Sequence, residues 1–351
     1  MSEEQVRFFK ALGDETRLKI VGFLLKNERC ACDFKQLKDK DQTTISRHLK
    51  VLADAGIVKN KRTGRNLIYS IKDEPMKERL LALGIETNDT CCSEIDSPRE
   101  VMIKESVKEA YGKIAKEGGS CGCGEGCCGD SPNPIIVSAS LGYSPEELSV
   151  LPDSNLGLGC GNPNALGAIR EGDIVLDLGS GAGMDAFIAA KKTGNGGRVI
   201  GVDITKEMIE KARRNAEKHG FINVEFRHGD IEELPVDSSS VDVILSNCVI
   251  NLAPDKSKVF NEAYRVLRPG GNMYISDMVL YKELSKKQRN DKALITGCIG
   301  GAIMKDDYLK LISDAGFKIE QVSENRGTKD QYNGLPAASL KIVAKKGDVA
   351  G

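Results

Sequence analysis

VLDLGSGAG, Val175–Gly183, is a short apolar run that breaks into a turn with glycine at 179, 181 and 183. Glycines so placed let a chain leave a buried strand sharply and let a ligand lie against the main chain. A helix is expected from Met184. The next apolar run, GRVIGVDI, carries Asp203, 20 residues past Gly183. A carboxylate there can accept both hydroxyls of a nucleoside ribose.

Outward from that turn the alternation continues. A helix is expected from Lys206, then strands NVEFRHGD and VDVILSNC and a helix KSKVFNEAYRVL. The turn RPGG, the strand NMYISDM and a helix near 305–315 follow, and FKIEQVSE and AASLKIVAKK close as a strand pair. Alternating βα units predict a doubly wound α/β sheet over residues 136–347. Two ligands compete for the glycine turn, a dinucleotide and a sulfonium nucleoside. The second carries no phosphate and tolerates acids beside the turn, and Asp177 and Asp185 stand there. The candidate cofactor residues are Asp177, Gly179, Ser180, Gly181, Gly183, Asp185, Asp203, Asp230, Ile231 and Asn247, with Asp230 and Ile231 facing the adenine. Together with SNCVINL and RVLRPGG, this order resembles the class I methyltransferases. The resemblance implies a Rossmann-like seven-stranded sheet and S-adenosylmethionine as methyl donor, with no flavin or nicotinamide.

The chain has 351 residues and 11 cysteines. It shows neither a leader-type N-terminus nor an apolar run of the ~20 residues that span a bilayer, so a cytoplasmic protein with no membrane partner is expected. Reduced thiols in that compartment more often bind metal or do redox work than form structural disulfides. Cys121, Cys123, Cys127 and Cys128 cluster in GGSCGCGEGCCGDS, which reads as a mobile thiol arm or, alternatively, a zinc clip. Cys160 (LGLGCGNP), Cys248 (SNCVINL) and Cys298 (ITGCIGGA) flank strands whose carboxyl ends bind ligands in such sheets. The set YGKIAKEGGSCGC, GYSPEEL, NLGLGCGNP, VLDLGSGAGMDA, SNCVINL and GCIGGA closely resembles arsenite methyltransferases over about residues 110–345. The resemblance implies that Cys160 and Cys248 hold arsenic presented as an arsenite–thiol complex. It further implies that Cys298 and a loop thiol, Cys121 or Cys123, serve a disulfide relay. Glutathione or a thioredoxin-like reductant then reopens the disulfide.

Residues 1–85 read differently. Short amphipathic helices lead to QTTISRHLKVLADAG and then to IVKNKRTGRNLIYSI, two strands around a Thr-Gly-Arg turn. A short helix is expected over CDFKQLKDK. Residues 35–65 carry nine Lys/Arg against three Asp/Glu, a basic block suited to a polyanion. Thr43, Thr44, Ser46, Arg47 and His48 suit a recognition helix in a DNA groove, and Arg62 and Arg65 a phosphate-contacting wing. ALGDETRLKIVGFLL, ERCACDFKQL, TTISRHLKVLADAGIV and GRNLIYSI resemble the arsenic-responsive winged-helix repressors. The resemblance implies a winged helix-turn-helix (α+β) domain, a homodimer on a double-stranded operator, and release by a metalloid. Cys30 and Cys32 match two sensor thiols of that family, and its third has no counterpart nearby.

Residues 86–135 are expected to form a connector with one helix starting at Pro98 under a Ser97 cap, followed by the thiol loop. The leading reading is an arsenic methyltransferase fused to a metalloid-responsive regulator. The alternative is a repressor that senses adenosylmethionine or metal without turning over arsenic.

Overall fold

The computed structural model describes residues 3–26, 28–30, 34, 42–63, 66–85, 98–117, 133–326 and 334–348. The chain divides into two compact units, Met1–Met102 and Ile103–Gly351, and most of the connector expected over residues 86–135 lies outside the described residues.

The first unit runs α1 (Glu3–Leu12), α2 (Glu15–Lys26), β1 (Arg29–Cys30), α3 (Gln42–Asp54), β2 (Val58–Thr63), β3 (Asn66–Ile71) and α4 (Glu74–Ala82). Ile45, Leu49 and Leu52 recur at helical spacing on α3 and are fully buried against Ile20, Val21 and Ile57. Gly56 ends that helix in the left-handed region at φ 69°. Its N–H donates to Ala53 and the Ile57 N–H to Leu52, so the last carbonyls are capped before the chain turns into β2. β3 pairs antiparallel with both β2 and β1. The expected hairpin is present, while most of the short helix expected over CDFKQLKDK lies outside the described residues.

The second part begins within α5 (Pro98–Glu117) and continues through α6 (Pro134–Ser140), α7 (Pro145–Leu148), β4 (Ile174–Leu178), α8 (Met184–Thr193), β5 (Arg198–Asp203), α9 (Lys206–Lys218), β6 (Val224–His228) and β7 (Val241–Asn247). Then come α10 (Lys256–Val266), β8 (Leu267–Leu280), α11 (Lys286–Arg289), α12 (Lys292–Thr296), α13 (Lys305–Asp314), β9 (Phe317–Asn325) and β10 (Ala337–Lys346). The sheet order is β6-β5-β4-β7-β8-β10-β9, parallel from β6 through β8, with β10 antiparallel to both neighbours. Alternate residues sort to opposite faces. Leu176, Ile244 and Ile275 pack with Phe260 and Tyr308 of α10 and α13, and Val175, Val199 and Val243 pack with Phe187 and Ala212 of α8 and α9. The strand order reverses between β4 and β7, and such a reversal opens a crevice at the strands' carboxyl ends.

RPGG, expected as a turn before the fifth strand, lies inside β8. The β7 register steps from Val241–Leu267 to Val243–Asn272, so residues 268–271 bulge out of the ladder. Ser144 and Glu147 form a reciprocal capping box at the start of α7. Among the described residues no helix is long and apolar enough to cross a membrane.

Candidate active site

The crevice between β4 and β7 is a cleft open to solvent, lined by the glycine turn, Asp203, Ile231 and Asn247. The three turn glycines all have positive φ. A Cβ on Gly179 would overlap Val249, and one on Gly183 would overlap Phe187 and Phe226. At Gly181 the same position is open within 4 Å, which leaves the main chain bare to the cleft.

Three carboxylates gather at the turn. Asp177 is buried, and its Oδ2 has no hydrogen-bond partner among the described residues. Burial, then the charges of Asp185 and Asp203, holds it well above the usual carboxylate range. Asp203 ends β5; it accepts from Gly181 N (3.0 Å) and Thr205 N (2.8 Å), and burial raises its pKa against those bonds. An acidic, partly unsatisfied pocket attracts a cation and repels a pyrophosphate. A sulfonium nucleoside with an ammonium group therefore fits the groups present.

The remaining expected cofactor residues separate into two kinds. Ile231 lines the cleft, buried, and Asp230 lines it with its Oδ2 2.7 Å from Lys104 Nζ. Lys104 also pairs with the buried Glu232 at 2.7 Å, and Tyr111 of the same helix donates to Thr296 O at 3.0 Å. α5 therefore spans the cleft from the β6 end to α12. Asp185 and Asn247 also line the cleft but are largely occupied with each other. Asp185 accepts from Tyr143 Oη (2.8 Å), Asn164 Nδ2 (2.8 Å) and Asn247 Nδ2 (3.0 Å). Asn247 Nδ2 also reaches Gly161 O (2.9 Å), and its Oδ1 accepts from Cys160 N (3.0 Å). This network ties the Cys160 loop to the end of β7.

Cys160 and Cys248, 88 residues apart in sequence, meet with their sulfurs in contact and Cα atoms 5.7 Å apart. Cα separations of ~4.4–6.8 Å are those of bridged cysteines. The Cys248 N–H donates to Ser276 O at 2.8 Å, and Ser339 Oγ to Cys160 O at 3.0 Å. Cys298 is buried and its Sγ donates to Cys248 O at 2.8 Å. Cys248 and Cys298 have φ of 58° and 66°, and Ser239 is the only other non-glycine with positive φ among the described residues. Such conformations persist where surrounding structure enforces them, often at functional sites. All three cysteines border the same cleft as the glycine turn. Cys121, Cys123, Cys127 and Cys128 lie outside the described residues.

Residues not singled out in the sequence also reach this site. Asp277 of β8 is fully buried and brings a carboxylate oxygen within 4.8 Å of the Cys160 and Cys248 sulfurs. Its trace in the sequence is one acid inside the apolar run MYISDMVL. Tyr143, Lys104 and Tyr111 carry no such local mark.

On the first unit, Ser46 and Arg47 of α3 and Arg62 of β2 are exposed, and Thr44 and His48 are partly buried. His48 Nδ1 lies 3.6 Å from Asp14 Oδ1, so this ring is turned toward its own domain. The Thr43 side chain and Arg65 lie outside the described residues, as do the Cys30 side chain and Cys32.

Residues 14–60 match the family described as bacterial regulatory protein, arsR family, and residues 169–316 match a methyltransferase domain. An arsenite methyltransferase of Halobacterium salinarum is 44% identical over 252 residues, covering 67% of this chain and 64% of that protein. The human arsenite methyltransferase is 36% identical over 229 residues, covering 62% of this chain and 59% of that protein. This chain thus spans less than two thirds of the length of these relatives. A solved arsenic(III) S-adenosylmethionine methyltransferase from Chlamydomonas reinhardtii is 34% identical, with a TM-score of 0.47, covering 63% of this chain and 75% of that one.

Proposed function

From a chain that carries an arsR-family regulatory region and a methyltransferase domain similar to arsenite methyltransferases, we propose an enzyme that methylates trivalent arsenic with S-adenosylmethionine. The observation that carries the reading is the convergence of Cys160, Cys248 and Cys298 on the cleft that holds the glycine turn and its three acids. Trivalent arsenic is a soft centre that prefers thiolate. Cys160 and Cys248 take it from an arsenite–thiol complex, and the thiol protons leave with the displaced ligands.

When bound, S-adenosylmethionine supplies an electrophilic methyl group. Asp203 orients the ribose, and the donor's positive charge draws the buried, unsatisfied Asp177 toward its anionic form. Thiolate-bound arsenic keeps its lone pair, which forms the new As–C bond, so this step needs no general base. The apolar walls, Leu156, Leu158, Val249 and Leu252, exclude water from the transfer. Arsenic leaves the step oxidised by two electrons. Two thiolates return them by closing a disulfide, and an external thiol such as glutathione or a thioredoxin-like protein reopens it. We assign this relay to Cys298 with Cys121 or Cys123. The 5.7 Å separation of Cys160 and Cys248 supports a second pair able to close.

The N-terminal region is proposed to bind operator DNA as a dimer, with Arg47 and Arg62 among its contacts, and to answer to the same metalloid through Cys30 and Cys32. The test of the enzymatic reading is purified protein with arsenite, glutathione and labelled methyl donor. Methylated arsenic should form, and Cys160→Ser and Cys248→Ser should abolish it while the donor still binds. Methylation at the parent rate by both variants would overturn the assignment.

A further inference from the structure

Asp277 poses a physical problem, because a buried carboxylate costs stability unless something compensates it. It sits near the carboxyl end of β8, next to Ser276, whose carbonyl accepts the Cys248 N–H. Three groups donate to it: Met278 N (2.8 Å) and Asn251 Nδ2 (2.8 Å) to Oδ1, and Tyr308 Oη (2.9 Å) to Oδ2. Burial pushes its carboxyl up to about 6 while these donors pull it back, which leaves the group mainly anionic at neutral pH. Lys256, buried nearby, adds an attractive positive charge. Packing alone would be served as well by an apolar residue at this position. The elements around Asp277 instead fix a negative charge within 4.8 Å of both thiol sulfurs.

In the empty site that charge opposes thiolate formation, so it does not assist capture of arsenic. Its benefit arises later. As the As–C bond forms from the arsenic lone pair, the carbon–sulfonium bond breaks and its electron pair goes to the donor's sulfur, which becomes neutral. Arsenic is oxidised by two electrons and acquires the positive charge that the sulfonium loses. The carboxylate neither gains nor loses a proton. We propose that Asp277 is the fixed counter-charge for arsenic as it becomes cationic during methyl transfer. A fixed charge held beside developing charge lowers the barrier without reorganising. The inference rests on the methyl-transfer reading above and adds a residue that acts on the transition state rather than on binding.

The test is single-turnover methyl transfer from labelled donor to arsenite-loaded full-length protein. Arsenite binding is read by protection of thiols and donor binding by calorimetry. Asp277→Asn should slow the transfer on the order of 10²-fold, the scale of losing one preorganised electrostatic contact, with both affinities within about threefold of the parent. Because Asp277→Asn disturbs the surrounding donors and can fail to fold, Asp277→Glu and Asp277→Gln form a second, isosteric pair that differs in charge. The Glu variant should outpace the Gln variant by a comparable factor. Tyr308→Phe removes one donor but keeps the charge and should stay within about threefold of the parent. Equal rates for Glu and Gln, a parental rate for Asn, or a Tyr308→Phe loss as large as that of Asn would each overturn the proposal. A parent protein that makes no methylated arsenic removes the methyl-transfer reading and this inference together. A parent that methylates beside an unaffected Asn variant removes this inference alone.

Discussion

Replacing Asn247 with alanine tests how the thiol pair is positioned. The Asn247 carboxamide accepts from Cys160 N and donates toward Gly161 O, Asp185 and Tyr143 Oη, all at 2.9–3.0 Å. Its two amide protons are shared among three acceptors, so alanine removes about three bonds' worth of interaction. At ~0.5–1.5 kcal/mol each, and with a buried carboxylate losing a donor, the loss comes to about 2–4 kcal/mol. A domain of 150–250 residues loses roughly 2–4 °C in Tm per kcal/mol, so the enzymatic domain should melt about 4–16 °C lower. The functional loss falls on the Cys160 loop, whose backbone N–H and the next carbonyl both hang on this one side chain. A 1 Å misplacement of reacting groups costs on the order of 10²-fold in rate, and arsenite affinity should fall with it. Thermal melting, arsenite protection of thiols and donor calorimetry on one preparation separate the effects. The account requires a larger loss in arsenite affinity than in donor affinity. A variant that keeps its arsenite affinity and melting temperature while losing the donor would refute the positioning role and return Asn247 to the cofactor.

Two other substitutions probe the remaining parts. Asp203→Ala removes the buried carboxylate at the end of β5 and should weaken donor binding about 10–100-fold by calorimetry, matching the ~1.5–3 kcal/mol of hydrogen bonds to a charged group; unchanged affinity would remove the ribose role. Arg47→Ala on the exposed face of α3 should weaken operator binding and, for a phosphate contact, lower the slope of log affinity against log salt by about 1. An unaltered slope with altered sequence preference would make it a base contact instead.

The glycine turn, Asp203 and the alternating strands were legible because each is a local pattern. Strand periodicity, glycine spacing and an acid at a strand end are written within a few residues of one another. RPGG was misread for a related reason. A Pro-Gly-Gly sequence signals a turn, yet the β7 partner accommodates it as a bulge, and only the pairing register reveals that. The Cys160–Cys248 contact could not come from spacing, since 88 residues separate the two. It followed only from a resemblance and from the rule that ligands gather at strand ends. Asp277 was hidden because its partners Asn251 and Tyr308 come from distant segments. Asp185 and Asn247 carried their usual motif positions, but the structure also engages them in holding the Cys160 loop.

X-ray absorption at the arsenic edge on the arsenite-loaded protein tests the central claim most directly. The account predicts a shell of sulfur around arsenic that is lost when Cys160 and Cys248 are both replaced by serine, with donor binding retained. An oxygen-only shell in the parent, or a sulfur shell that survives the double replacement, would contradict it.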